Sequence, residues 1–250
     1  MIFYFTATGN SKFIAEKIAA VTGERIIDIT GCIKNREDTF TFDENESLGV
    51  VAPVYYYGLP MIVVEFLNKL KISANSDYYS YSILNCGGTT GNSINQAQKS
   101  FKFDAAFGII TVDNYIPMFK VVSDAEINDR LDKAEKEINF IIKRIQDKFI
   151  GTYNPVKGRF SGLLTAIAYP MYEYGRKTDK FNANDSCTGC SLCVKVCPRE
   201  IIALENGKPV WKADRCEQCL GCVHRCPVAA INYGKKTADR GRYVNPRVKL

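Results

Sequence analysis

Cys187-Thr-Gly-Cys190-Ser-Leu-Cys193-Val-Lys-Val-Cys197-Pro198 is followed, in the same spacing, by Cys216-Glu-Gln-Cys219-Leu-Gly-Cys222-Val-His-Arg-Cys226-Pro227. Both stretches read C-x2-C-x2-C-x3-C-P. Three thiolates spaced two residues apart on a tight loop reach three irons of one cube. A fourth thiolate, after a longer gap, is carried away by the chain. A zinc site built from four cysteines instead shows two C-x2-C pairs roughly 12–20 residues apart, without the third close cysteine or the proline. Pro198 and Pro227 end each ligand loop and open a short helix. The repeat continues as Ile201-Ile202-Ala203 and Ala230-Ile231-Asn232, which predicts pseudo-twofold symmetry. Trp211 is expected on a small hairpin as a packing residue. His224, the single histidine, is expected as a solvated side chain beside the ligands.

This module, residues 186–234, resembles the bacterial two-cluster ferredoxins. The resemblance implies a small α+β domain holding two 4Fe–4S clusters. It assigns Cys187, Cys190, Cys193 and Cys226 to one cluster and Cys216, Cys219, Cys222 and Cys197 to the other. The crossed ligation would set the clusters close together, as stepwise electron transfer requires.

Eight of the ten cysteines fall in this module. Where nothing signals export, such crowding reads as metal ligation rather than disulfides. Charge is uneven as well. Residues 1–150 hold 16 Lys/Arg against 19 Asp/Glu, and residues 151–250 hold 17 against 8. Two oxidised clusters on eight thiolates add about −4, so the basic residues partly balance the cofactor. The same cations suit an acidic redox donor or acceptor. Aromatics are not interleaved with the basic tail, residues 235–250, in a stacking pattern, so no nucleic acid is expected. The tail is expected to be mobile or laid along the surface.

The chain is 46% hydrophobic and 24% charged, as in soluble globular proteins. Its apolar runs are well short of the roughly 20 residues that span a bilayer. The first residues, Met1-Ile-Phe-Tyr-Phe5, read as a strand rather than a signal peptide, which predicts a cytoplasmic location.

Residues 1–150 alternate strand-like and helix-like runs. Strands are expected over 2–5, 25–29, 48–55, 79–85 and 105–112, and helices over 11–21, 60–70, 93–101 and 124–149. Ile127, Leu131, Ala134, Ile138, Ile141, Ile142 and Ile145 share one face of the last helix. Such alternation predicts an α/β domain, a five-stranded parallel sheet covered on both faces. The polar stretch 30–47 is expected to hold no good helix. Residues 151–185 are read as a linker. Its apolar segment, with flanking basic residues over 160–177, suits either contact with a membrane surface or packing between domains.

Three loops in residues 1–150 carry binding chemistry. Thr6-Ala-Thr8-Gly9-Asn10-Ser11 opens a helix directly after the first strand. There, backbone N–H groups, the helix dipole and hydroxyls favour an anion, although Thr and Ser also serve as plain caps. Pro53-Val-Tyr55-Tyr56-Tyr57-Gly58 offers aromatic faces to a flat ring. Asn85-Cys86-Gly87-Gly88-Thr89-Thr90-Gly91-Asn92 lets backbone N–H groups approach a ligand edge. Each of the last two, alone, is equally well explained as packing or a turn.

Together the loops resemble flavodoxin, whose resemblance covers residues 1–150. It implies a doubly wound sheet of order 2-1-3-4-5 and bound flavin mononucleotide (FMN). The phosphate would lie on Thr6, Thr8, Gly9, Asn10 and Ser11. The ring would lie between the Tyr55–Gly58 and Cys86–Asn92 loops, with Pro53, Tyr56, Tyr57, Gly87 and Gly88 beside it. Cys86 and Cys32 are expected as small buried residues. The whole chain resembles the flavodoxin–ferredoxin fusions of anaerobes, which implies a carrier that couples one-electron and two-electron chemistry. The alternative is an FMN-dependent reductase of a quinone or nitro compound fed by the clusters. No acid–base pair and no nicotinamide fingerprint stand near the flavin loops.

Overall fold

The computed structural model describes residues 1–42, 46–74 and 77–250. Residues 43–45, part of the polar stretch read above as helix-free, lie outside it. The first segment runs β1 (Ile2–Tyr4), α1 (Asn10–Thr22), β2 (Ile26–Asp28), α2 (Ile29–Asn35), β3 (Thr39–Thr41), β4 (Leu48–Pro53), α3 (Met61–Lys69), β5 (Lys71–Ser73), β6 (Ser80–Cys86), α4 (Ser93–Ser100), β7 (Ala105–Ile110) and α5 (Asp124–Gln146). Next come β8 (Gly151–Tyr153) and α6 (Ser161–Gly175). The cysteine module adds β9 (Phe181–Ala183), α7 (Leu192–Val196), β10 (Ile202–Glu205), β11 (Lys208–Trp211), α8 (Gly221–His224) and β12 (Ile231–Tyr233).

Alternate strand residues face opposite layers. Ile2, Tyr4, Val51, Ile83 and Phe107 pack against α1 and α5, burying Phe13, Ile14 and Ile18 and Ala134, Ile138, Ile141, Ile142 and Ile145 of the α5 stripe, while its Ile127 and Leu131 pack with Val112 and Tyr243. Phe3, Phe5, Val50, Ala52 and Leu84 pack on the other side against Ile62 and Phe66 of α3 and Ile94 of α4. The strands are therefore apolar on both faces, as a covered parallel sheet requires.

The sheet order is β2-β1-β4-β6-β7-β8, and every pairing is parallel. The first five positions follow the expected 2-1-3-4-5. The sixth strand, β8, comes from the stretch read as linker and pairs Ala105 with Gly151 at the edge. Three residues long, it carries too little pattern to be seen in sequence.

The stretch after β2 corrects a second expectation, because it does hold a helix. Asp28 caps α2 by accepting a hydrogen bond from the Thr30 N–H at 2.9 Å, and Ile29 and Cys32 are buried. Two buried residues in a seven-residue helix leave almost no periodic signal. The short pair β3–β5 adds a separate parallel ribbon.

The cysteine module repeats itself. β9 pairs with β12 and β10 with β11, both antiparallel. Left-handed residues recur at matching points of the two halves: Gly189 and Gln218, Ser191 and Leu220, Glu200 and Ala229. Trp211 lies on the β10–β11 hairpin and stacks on Phe181 with centroids 5.1 Å apart. Among the described residues no helix is long and apolar enough to cross a membrane.

Candidate functional site

The two cysteine quartets sit in unlike surroundings. Cys187, Cys190, Cys193 and Cys226 line one cavity together with Pro227 and Ile231. Cys190 is exposed, Cys187 and Cys226 are half-buried and Cys193 is buried, so this quartet opens outward through Cys190. Cys216, Cys222 and Cys197 are buried in the module's apolar core. Burial raises the Cys216 thiol to about 11, with Cys197 beside it adding to the rise. Burial pushes Cys219 and Cys222 higher still, and Cys216 and Cys197 press on both. Cys216, Cys219 and Cys222 so placed become thiolates only when a cation compensates them.

Among the described residues no three His, Cys, Asp or Glu side chains converge on a single ion. Backbone donors reach the sulfurs as well: the Gln218 N–H to Cys216 Sγ at 3.1 Å and the Ala230 N–H to Cys226 Sγ at 3.3 Å. Such bonds raise the potential of a bound cluster.

A second cavity, of about 370 Å³, opens at the C-terminal edge of the sheet. Ligand pockets run from about 300 Å³ upward. Its walls are Pro53 to Tyr57 after β4, Asn85 to Thr89 after β6, and Thr111 to Tyr115 after β7. The three loops leave the same edge because Pro53 pairs with Asn85 and Cys86 with Ile110. Tyr172 of α6 and Gln218, Cys219 and Leu220 of the module close the remaining side. One sulfur of the inner quartet thus shares a cavity wall with the aromatic loop.

That aromatic loop is a tight turn. Tyr55 N–H donates to the Gly58 carbonyl at 2.8 Å, and Gly58 N–H donates back at 2.9 Å. Its two central residues, Tyr56 (φ 49°) and Tyr57 (φ 63°), are left-handed. Glycine or asparagine normally fills such places, and each tyrosine costs about 1–3 kcal/mol there. The conformation aims rings at the cavity: Tyr56 stacks on Tyr172 at 5.7 Å and meets Tyr115 edge-on at 5.4 Å, with their hydroxyls hydrogen-bonded. Gly58 and Asn92 lie outside this wall. A Cβ on Gly58 would collide with the Tyr169 ring, and the Asn92 N–H donates to the Thr165 hydroxyl at 2.9 Å. Both residues support α6. Burial pushes the Cys86 thiol up to about 12, so it lines the cavity as a neutral group.

At the loop of residues 6–11, Gly9 is left-handed (φ 103°), and no side chain caps α1. The Gly9 N–H donates to Thr6 Oγ1 at 3.0 Å. Other side chains of the loop are already engaged. Asn114 donates to Thr8 Oγ1 at 2.6 Å, Asn85 donates to Ser11 Oγ at 2.8 Å, and Asn10 donates to the Val112 carbonyl at 3.0 Å. Asn10 Oδ1 accepts from Tyr243 at 2.6 Å, and Asn245 N–H donates to the Thr8 carbonyl at 2.8 Å. The C-terminal residues are therefore laid along the first domain, with Tyr243 and Asn245 buried. Of residues 6–11 only Asn10 lines the cavity, and Asn245 and Val248 pack against Gly9; a phosphate here would meet backbone N–H groups of an uncapped helix, and it is the aromatic and glycine loops walling the cavity that fit the FMN ring.

His224 is not solvated. It is 3% exposed; its Nδ1 accepts from the Tyr243 N–H at 3.1 Å, and its Nε2 lies 2.8 Å from the Asn114 carbonyl. Burial lowers it to about 4, so it is neutral and donates through Nε2. It ties the inner cysteine loop to both the C-terminus and the loop after β7.

Glu217, between Cys216 and Cys219, is 1% exposed. It accepts from the Tyr172 hydroxyl at 2.7 Å, the Ile62 N–H at 3.0 Å and Arg199 at 2.9 Å. Arg199 also reaches Glu65 on α3 at 2.6 Å. Sequence reading missed this clamp, as it missed Tyr172. The loop at 111–115 had one usable signal: it follows a strand at the ligand-binding edge.

Comparison with protein families matches residues 1–105 to a flavodoxin domain and residues 179–240 to a 4Fe-4S dicluster domain. A ferredoxin of Pyrobaculum islandicum (strain DSM 4184 / JCM 9189 / GEO3) is 41% identical over 59 residues, which are 23% of this chain and 55% of that protein. A ferredoxin of Methanothermococcus thermolithotrophicus is 42% identical over 50 residues, 19% of this chain and 83% of that protein. The chain thus spans about half the length of the first relative and most of the second. No solved structure matches it.

Proposed function

Because this chain joins a flavodoxin domain to a 4Fe-4S dicluster domain that belongs to the ferredoxins, we propose that it serves electron transfer and relays electrons between an outer cluster, an inner cluster and FMN, in that order. FMN exchanges one or two electrons and each cluster exchanges one, so the relay joins the two kinds of carrier. Cys187, Cys190, Cys193 and Cys226 hold the outer cluster. Cys216, Cys219, Cys222 and Cys197 hold the inner one. The backbone of residues 6–11 binds the phosphate, while Tyr55 to Tyr57 and Asn85 to Gly88 enclose the ring.

The observation that carries this reading is the position of Cys219, in the wall of the flavin cavity and beside the other sulfurs of its quartet. The exposed Cys190 marks the end at which a protein partner exchanges electrons. The excess of 17 Lys/Arg over 8 Asp/Glu in residues 151–250 favours an acidic partner, and the cytoplasm is the compartment that suits thiolate-held clusters.

The test is anaerobic. Native protein should hold about eight irons and one FMN, and a low-potential donor should reduce the clusters before the flavin. Cys219→Ser should lose the inner cluster, keep FMN and slow flavin reduction at least tenfold. Unchanged flavin reduction in that variant would overturn the relay order.

A further inference from the structure

Helix α6 is amphipathic in an inverted sense. Its inner side is held by hydroxyls: Thr165 donates to the Tyr57 carbonyl at 2.9 Å, Tyr169 to the Leu59 carbonyl at 2.7 Å and Tyr172 to Glu217. Its outer side is apolar. Phe160, Leu163, Leu164, Ile167, Met171 and Tyr174 are 38% to 74% exposed. At 100° per residue the five within the helix fall within an arc of about 100°, a continuous stripe that the N-cap residue Phe160 precedes.

The ends of the stripe differ from its middle. Phe160 at one end carries the Arg159 guanidinium 5.8 Å from its ring centroid, and Tyr174 at the other carries the Lys177 ammonium at 4.7 Å. Aliphatic side chains fill the space between. Lys157 adds positive charge at the first end. Glu173 is the only acid from 157 to 178, and Arg176 and Arg215 both pair with it.

We infer that α6 lies in the plane of an anionic phospholipid surface, its stripe in the acyl boundary and its terminal cations among the headgroups. A ring with a cation at each end and an aliphatic centre matches the layering of a bilayer interface. Protein interfaces carry roughly one hydrogen bond per 100–200 Å², and this stripe offers a single polar group, the Tyr174 hydroxyl. Pairing with a second copy is opposed by charge. Parallel or antiparallel, two such helices bring cationic ends together, whereas anionic headgroups satisfy both ends at once. The helix is too short and too well anchored by its inner hydroxyls to span the bilayer. This inference does not depend on the order of the electron relay.

The test is co-sedimentation of the cluster-loaded, flavin-loaded full chain with vesicles. One set is phosphatidylcholine alone, and the other contains about a third phosphatidylglycerol. Native protein should sediment with the anionic set, at least tenfold more than with the neutral set, and less at high salt. The double variant L163E/I167E changes only exposed side chains. It should keep its iron and flavin and lose at least tenfold in anionic vesicle binding. Absence of binding at low salt, or equal binding by the double variant, overturns the inference. So does a native dimer in sedimentation velocity that the double variant dissolves, because the stripe would then be a self-association face.

Discussion

The parallel sheet and the cysteine module lie side by side but are built on different principles. The sheet buries two apolar layers, including Phe3, Phe5, Phe66, Phe107 and the isoleucines of α5. The module's core holds Cys193, Cys197, Cys216 and Cys222 among only Ile116, Phe181, Ile202, Leu220, Val223 and Ile231. The first region owes its fold to apolar burial. The second is too small to do so, and its ligand loops bend through left-handed residues that their centres must repay. Large hydrophobic regions specify themselves, whereas small ligand-rich ones borrow their stability from a bound group.

The largest expected effect separates the two regions. Anaerobic removal of iron from the native chain should unfold the module, since metal-driven folding of small domains supplies on the order of 10 kcal/mol. Amide hydrogen exchange should then rise across 181–233 and stay low in β1, β4 and β6. Equal loss of protection in the sheet would break the comparison. A smaller effect concerns the joint. Glu217→Ala leaves Arg199 with Glu65 alone and removes the acceptor for the Ile62 N–H and the Tyr172 hydroxyl, which should cost about 2–3 kcal/mol in denaturant unfolding of the loaded protein, with Glu217→Gln costing less. A loss under 1 kcal/mol would mean that the module and α3 are held by packing alone. The smallest effect sharpens the same point. Tyr172→Phe deletes one hydrogen bond to Glu217 while keeping the ring, and should cost about 1 kcal/mol without changing iron content.

Much of the site was legible because cysteine spacing and strand–loop–helix alternation are local signals. The eight cysteines, the tyrosine loop and the glycine loop could be named from the chain order, as could the buried stripe of α5. The failures were physical too. Helix α2 buries two residues and β8 pairs three, so neither carries a periodic pattern. Val21 lies at helical spacing from the buried Phe13, Ile14 and Ile18, yet it is 53% exposed, because the helix ends there at Gly23. His224 looked solvated because nothing in Cys222-Val-His-Arg-Cys226 announces that the C-terminus folds back over it.

The sequence by itself determined what the chemistry would be: iron cages from the spacing of thiols, and an α/β sheet with its binding loops on one edge. Both follow from covalent neighbours and local periodicity. Only the tertiary structure decided how these parts meet. It placed Cys219 in the wall of the ring cavity, brought Tyr172 from the connecting helix to stack on Tyr56, and buried Glu217 between α3, α6 and the module. The contacts to the ring cavity, to Tyr56 and to α3 join residues more than a hundred positions apart, and no local pattern encodes a distance that is set by how whole layers pack.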